Sequence, residues 1–119
     1  MSRDDDAKQI RDRAMELQLT DPRKALDLLQ EVVRKYPDTW TVANLALDGI
    51  IGIAQTNGFW DEAIEACTLA QKLKPGYQKS YALEAQACHL NKDERHVEAM
   101  EVRLTKETFP GMTLRDSTV

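Results

Sequence analysis

The sequence predicts an all-α chain of six helices, paired into three helix–turn–helix hairpins that stack as an α-solenoid. Three observations carry this. Only five glycines and four prolines interrupt 119 residues, and β-branched runs are few, which favours helices over strands. Pro37, Pro75 and Pro110 recur 38 and 35 residues apart. Ala25, Ala63 and Ala99, each in the second turn of a helical pattern, are 38 and 36 residues apart. A period in the mid-thirties holding two helices per unit is the mark of a helical repeat array.

The elements follow from their stops. The first helix runs from about Asp4 to Leu19, with Ile10, Ala14 and Leu17 on one stripe. Ser2 is placed to cap it, and the run "DDD" suits the positive end of the helix dipole. The triplet "TDP" starts the second: Thr20 or Asp21 caps, Pro22 enters the first turn, and Pro37 ends it. Its apolar face is Ala25, Leu28, Leu29, Val32 and Val33.

Asp38 or Thr39 caps a third helix reaching about Asn57. Apolar residues lie nearly all round it, which places it among neighbours on most sides. It is also about one turn too long for the repeat, so the registers of the third and fifth helices stay open. "NG" at 57 and 58 turns the chain into the fourth helix, "GFWDEAIEACTLAQKLKP", which Pro75 and Gly76 close. The fifth covers about Gln78 to Leu90, with Asp93 as cap for a sixth from Glu94 to about Thr108. Val97, Met100 and Leu104 give that last helix an inward stripe. Arg103 and Lys106, where the fourth helix has Cys67 and Ala70, give it the polar outer face that a terminal unit needs.

At these residues the chain resembles the tetratricopeptide repeat family. The middle unit carries the likeness best: Trp60, "DEAIE", Cys67, Ala70 and Pro75. Ala63 stands where the family places the small residue that lets two helices approach closely. The matching small residue of the first helix in each pair is Ala14 and Ala85, with Leu47 or Ile51 in the middle unit as a departure. The resemblance implies a right-handed solenoid in a single domain, residues 1–110, with repeats at about 4–37, 38–75 and 76–110. Residues 111–119 are expected to be a flexible tail, unfolded or loosely docked.

Composition narrows the function. The net charge is −4, and no basic stripe offers the phosphate neutralisation on which nucleic-acid binding depends. RNA-reading helical repeats share the period, but the acidic charge argues against them. The longest apolar run, within "TWTVANLALDGIIGIAQ", is too short to span a bilayer and contains Asp48. "MSRDDDAK" lacks the apolar core of a signal peptide. Cys67 and Cys88 read as small core residues of a reduced, cytoplasmic protein rather than as a disulfide.

Catalysis is not expected. His89 and His96 are the only histidines, no Cys/His spacing suits a metal, and no phosphate loop or catalytic signature is present. Neither a cofactor nor a metal is expected. Asp61 and Glu62 read as a solvated first turn favouring the helix dipole.

A surface remains. Members of the family line a concave groove with the first helix of each pair, which implies a partner protein's peptide or helix as ligand. The expected function is a non-enzymatic adaptor or small chaperone. Groove candidates on the first helix are Lys8, Arg11, Met15 and Gln18; on the third, Asn44, Asp48, Gly52 and Gln55. On the fifth they depend on register. With Tyr81, Ala85 and Cys88 as core, the favoured choice, Lys79, Ala82, Gln86 and His89 face the groove; with Leu83, Ala87 and Leu90 as core, Glu84, Cys88 and Asn91 do.

Singly, each of these positions reads as an ordinary solvated residue. Asn44 with Asp48 on a mostly enclosed helix is the better signal, because such groups need partners or solvent. Gly49 and Gly52 in the same helix cost about 1 kcal/mol each relative to alanine, a cost that close approach by another backbone explains. One subclass of the family grips acidic chaperone tails through lysine, asparagine and arginine. Arg11, Asn44 and Lys79 fit that pattern, whereas Met15, Leu83 and Asp48 depart from it. The terminal "DSTV" weakly matches a motif that adds a strand to a partner's sheet edge. The alternative function is a structural module, a homodimer paired through apolar surface of the middle repeat.

Overall fold

The computed structural model of the chain describes residues 2–107. Among these the regular structure is helical, with no strand. The elements are α1 (Arg3–Leu17), α2 (Pro22–Lys35), α3 (Leu47–Thr56), α4 (Trp60–Leu73), α5 (Gln78–Lys92) and α6 (His96–Glu107). A π-helical turn, Val42–Ala46, leads into α3, and a short 3₁₀ turn, Pro75–Tyr77, precedes α5. The expected tail and the end of the sixth helix at Thr108 lie outside the described residues.

Local chemistry sets the boundaries. Ser2 Oγ accepts the Asp5 amide at 3.1 Å, and Asp21 accepts that of Lys24 at 3.1 Å, with Pro22 opening α2. These side chains satisfy amides that a helix start leaves unpaired. The third helix is capped from two directions. Thr39 Oγ1 accepts from the Val42 amide at 3.4 Å, and Asp4 of α1 accepts from the Thr41 amide at 2.8 Å. The first helix therefore helps to start the third.

The excess length of that third helix has a physical resolution. It is continuous over residues 40–56, and the Leu47 amide reaches back five residues to the Val42 carbonyl. Such a wide turn absorbs one extra residue while the helix continues.

Helix three ends with Gly58 at φ 75°. The Phe59 amide bonds the Ala54 carbonyl at 2.8 Å, and the Gly58 amide that of Gln55. This is a Schellman closure. Helix α5 ends in the same way 36 residues later, with Arg95 bonded to Leu90 at 2.8 Å and Glu94 to Asn91. Here the left-handed residue is Glu94, at φ 62°. Asp93 is thus the C-terminal cap of α5 and not the start of the next helix, as the sequence suggested. The sequence puts the end of this helix at about Leu90, two residues short of Lys92, but without a glycine it does not show which residue turns left-handed. A left-handed glutamate is strained by its Cβ, so Glu94→Gly should raise stability by about 0.5–1 kcal/mol. A urea midpoint unchanged or lowered by that substitution would contradict the assignment.

Each helix packs on the next: α1 on α2, α2 on α3, α3 on α4, α4 on α5 and α5 on α6. Ala25, Ala63 and Ala99 are each the fourth residue of an even-numbered helix, with exposures of 0%, 0% and 1%. The core joins Ala7 and Ala14 of α1 to Leu26, Leu29 and Val32 of α2, Ile50 and Ile53 of α3, and Cys67 and Ala70 of α4. Cys67 and Cys88 are buried thiols, not joined in a disulfide.

Helix α6 departs from expectation. Val97, Met100 and Leu104 point outward, and Ala99 faces in, flanked by half-buried Val102 and Arg103. Ala99 fixes the rotation of the helix, as Ala63 does in α4, and this overrides the larger hydrophobes. The outer face is therefore apolar, and Arg103 reaches the buried Glu84 at 3.3 Å. The side chain of Lys106 lies outside what is described.

Candidate functional site

Side chains of α3 and α5 are joined directly by hydrogen bonds. On α3, Asp48, Gly52 and Gln55 are spaced to occupy one side. Asp48 accepts a hydrogen bond from the Tyr81 hydroxyl at 2.7 Å. Gln55 Nε2 donates to Glu84 at 2.5 Å and lies 3.2 Å from Cys88 Sγ. The α5 side of this face is thus Tyr81, Glu84 and Cys88. Ala87 and Cys88 are both fully buried and Glu84 is 6% exposed, so the inward face of α5 is wider than either expected register.

Lys79, Ala82, Gln86 and His89 are exposed on the opposite side of α5, away from α3. The structure does not bring them to Asp48 and Gln55. Asn44 lies in the π turn, where its amide donates to the Trp40 carbonyl at 3.1 Å. Its polar group is thereby matched within the helix itself, as that of Asp48 is matched by Tyr81. On α1, Lys8 is exposed while Arg11, Met15 and Gln18 are half-buried. Arg11 pairs with Asp12 at 3.2 Å, and its Nε is buried without a hydrogen-bond partner.

The two helix-three glycines differ. A Cβ on Gly49 would come within 3.2 Å of Leu29 Cδ1 and 3.5 Å of Met15 Sδ, so close packing between α1, α2 and α3 explains that residue. A Cβ on Gly52 would meet nothing within 4 Å. Gly52 is exposed in mid-helix, and no contact within the chain requires it.

Tyr81 and Glu84 were missed as a pair. No spacing in the sequence signals them: Tyr81 bonds a residue 33 positions away and Glu84 one 29 positions away, neither of which is the repeat period.

Burial pushes the Tyr81 hydroxyl well above its ordinary value of 10.0, and the bond to Asp48 adds to the shift. Burial also raises the Cys88 thiol, with Glu84 nearby, which makes it a poor nucleophile. Because the folded state favours the protonated phenol, its contribution to stability is complete below about pH 10 and is lost as pH rises above that value. Tyr81→Phe should remove this alkaline loss and cost about 1 kcal/mol at neutral pH through the missing bond. Urea unfolding at neutral and alkaline pH measures both. An equally steep alkaline loss in the variant would exclude Tyr81 as its source.

Across the molecule, α2, α3 and α4 enclose an open cleft of about 370 Å³, walled by Val33, Arg34, Leu47, Ile50, Glu65 and Leu69. Its apolar floor lies beneath charged lips, with no converging set of catalytic groups. No cluster of three or more His, Cys, Asp or Glu suited to a metal occurs among the described residues. No helix among them is long and apolar enough to cross a membrane. Comparison of the chain with protein-family models, with curated proteins and with solved structures finds no match.

Proposed function

We propose that this chain is a tetratricopeptide-like interaction module. In this reading three hairpins stack as a right-handed solenoid, and α1, α3 and α5 form the wall that holds a peptide or helix of a partner protein. It acts as a cytoplasmic adaptor or small chaperone and performs no chemistry of its own. Several features support the architecture. Helices pack in sequence order, the body is elongated at 48 × 29 × 23 Å, and the buried alanines and helix closures recur in register.

The observation that carries the binding proposal is Gly52. A mid-helix glycine costs about 1 kcal/mol relative to alanine, and inside the chain nothing requires this one. Open space at Gly52, between Asp48 and Gln55 along the same side of α3, is what a partner's backbone needs for close approach. Gly52→Ala should stabilise the fold by about 0.5–1 kcal/mol. Gly52→Leu should leave the helix content native and abolish capture of the proteins that the unaltered chain retains from lysate. Undiminished capture by the leucine variant would refute the groove.

A second reading, self-assembly through the middle repeat, is favoured by Trp40, which is 60% exposed at the start of helix three. It requires a concentration-dependent dimer in sedimentation that Trp40→Lys dissociates. A monomer at every concentration rejects it.

A further inference from the structure

The cleft between α2 and α4 has a counterpart one unit further along the chain, and the two differ in their floors. A shift of 38 residues carries Ala25 onto Ala63, and a shift of 36 carries Ala63 onto Ala99 and Gly58 onto Glu94. By those shifts the charged lips recur: Lys72 answers Arg34, Glu98 answers Glu62 and Glu101 answers Glu65. The apolar floor does not recur. Half-buried Val33 and Leu69 are answered by Gln71 and Thr105, and Ile50 by exposed Gln86. Gln86, Glu101 and Thr105 line the matching recess beside α6. At Val33 and Leu69 the repeat itself therefore does not require an apolar side chain.

We propose that the cleft between α2 and α4 is a second docking surface, which receives a partner protein's helix bearing an apolar stripe with an acidic residue on one flank and a basic residue on the other. The lips select those flanks. At one place the cleft's own charges are satisfied across it, where Arg23 of α2 binds Glu62 of α4 at 2.5 Å. Arg34 and Glu65 are exposed on the two lips and form no ion pair among the described residues. One charge of each sign is thus left on opposite walls, with Leu47 and Ile50 beneath.

A helix that turns its acidic flank to Arg34 and its basic flank to Glu65 answers both charges. The reversed helix sets like charges together, so the lips also fix its direction. Small-molecule sites converge several polar groups on one point, whereas an open furrow with an apolar floor suits anchors at i, i+3 and i+4 of an amphipathic helix. Gly52 lies on the far side of α3 from Leu47 and Ile50 by helical spacing. The inference therefore stands apart from what the odd-numbered helices bind.

Selection by the full chain from a phage-displayed library of short alanine-rich helical peptides, randomised over one face, tests it. The enriched peptides should carry an apolar stripe with acid and base on opposite flanks. Val33→Gln/Leu69→Thr gives this cleft the side chains of its counterpart and should weaken the best peptide at least about tenfold in a fluorescence anisotropy titration, with helix content native. Arg34→Glu should turn the preferred flank from acidic to basic, and Gly52→Leu should leave binding unchanged. Failure to enrich any peptide, undiminished binding by the double variant, or a flank preference indifferent to Arg34→Glu overturns the proposal. Loss of binding in Gly52→Leu also overturns it and moves the peptide to the odd-numbered helices. A dimer in sedimentation that the double variant dissociates overturns it too, and assigns the cleft to a second copy.

Discussion

Leu29→Ala is expected to cost about 3 kcal/mol, the largest loss from any single truncation proposed here. Leu29 is fully buried on α2. Its Cδ1 lies where a Cβ on Gly49 would come within 3.2 Å, and Met15 Sδ approaches the same point from α1. Three helices therefore close on this one side chain, and its removal leaves a void that none of them can fill without moving. For a domain of this size the melting temperature should fall by at least about 10 °C. Leu19→Ala, at a position 90% exposed, should change stability by no more than about 0.5 kcal/mol.

Gly49 sharpens the test. In the unaltered protein, Gly49→Ala gains helix propensity but forces Leu29 to yield, so the two effects oppose each other. In the Leu29→Ala background the obstruction is gone, and the same change should add about 1 kcal/mol. Urea midpoints for the four proteins of the cycle measure the coupling. If Gly49→Ala has the same effect in both backgrounds, the packing argument for that glycine is wrong.

The same contact shows why some of the fold was legible in the sequence and some was not. Proline, the "TDP" triplet and "NG" act locally, through a missing amide or a left-handed turn, so the starts and stops they control can be read residue by residue. The stop after α5 depends on Glu94 taking a conformation that glutamate disfavours, and only packing around it can enforce that. The rotation of α6 is similar. Periodicity offered Val97, Met100 and Leu104 as the inner stripe because they are large. The close helix approach at Ala99 decided otherwise, since a small residue at a contact outweighs the pull of partly buried larger ones. The π turn at Val42–Ala46 was visible only as excess length.

For the candidate site, α1 and α3 were more legible than α5. Asn44 with Asp48 stood out as polar residues on an apolar helix, a contrast that α5 lacks. Helix α5 alternates small, polar and aromatic residues without a dominant stripe, so two registers fit it, and the one with Tyr81, Ala85 and Cys88 as core was favoured only for placing Ala85 at the close helix contact. What settles its orientation is tertiary: Tyr81 bonded to Asp48, and Glu84 bonded to both Gln55 and Arg103. Single-residue periodicity carries no information about such cross-helix pairs. The repeat period carries none either, since the bonded pairs are 33 and 29 residues apart.

Ala63→Leu should be the second most damaging change, at about 2–3 kcal/mol. It adds three carbons where Ala63 is 0% exposed, and a well-packed contact admits them only through backbone shifts or strained rotamers. If the three hairpins are equivalent units, Ala25→Leu and Ala99→Leu insert the same bulk at the same contact. Their losses should agree with that at Ala63 to within about 1 kcal/mol. Ala82→Leu, on the exposed side of α5, adds the same carbons to open space and should be nearly neutral. Chemical denaturation of the four variants separates the alternatives. A loss at Ala63 with Ala25 and Ala99 tolerant would make the recurring alanines a coincidence of composition. Three similar losses would make them one structural position used three times, because only a repeated close approach of paired helices penalises the same added volume at each of them.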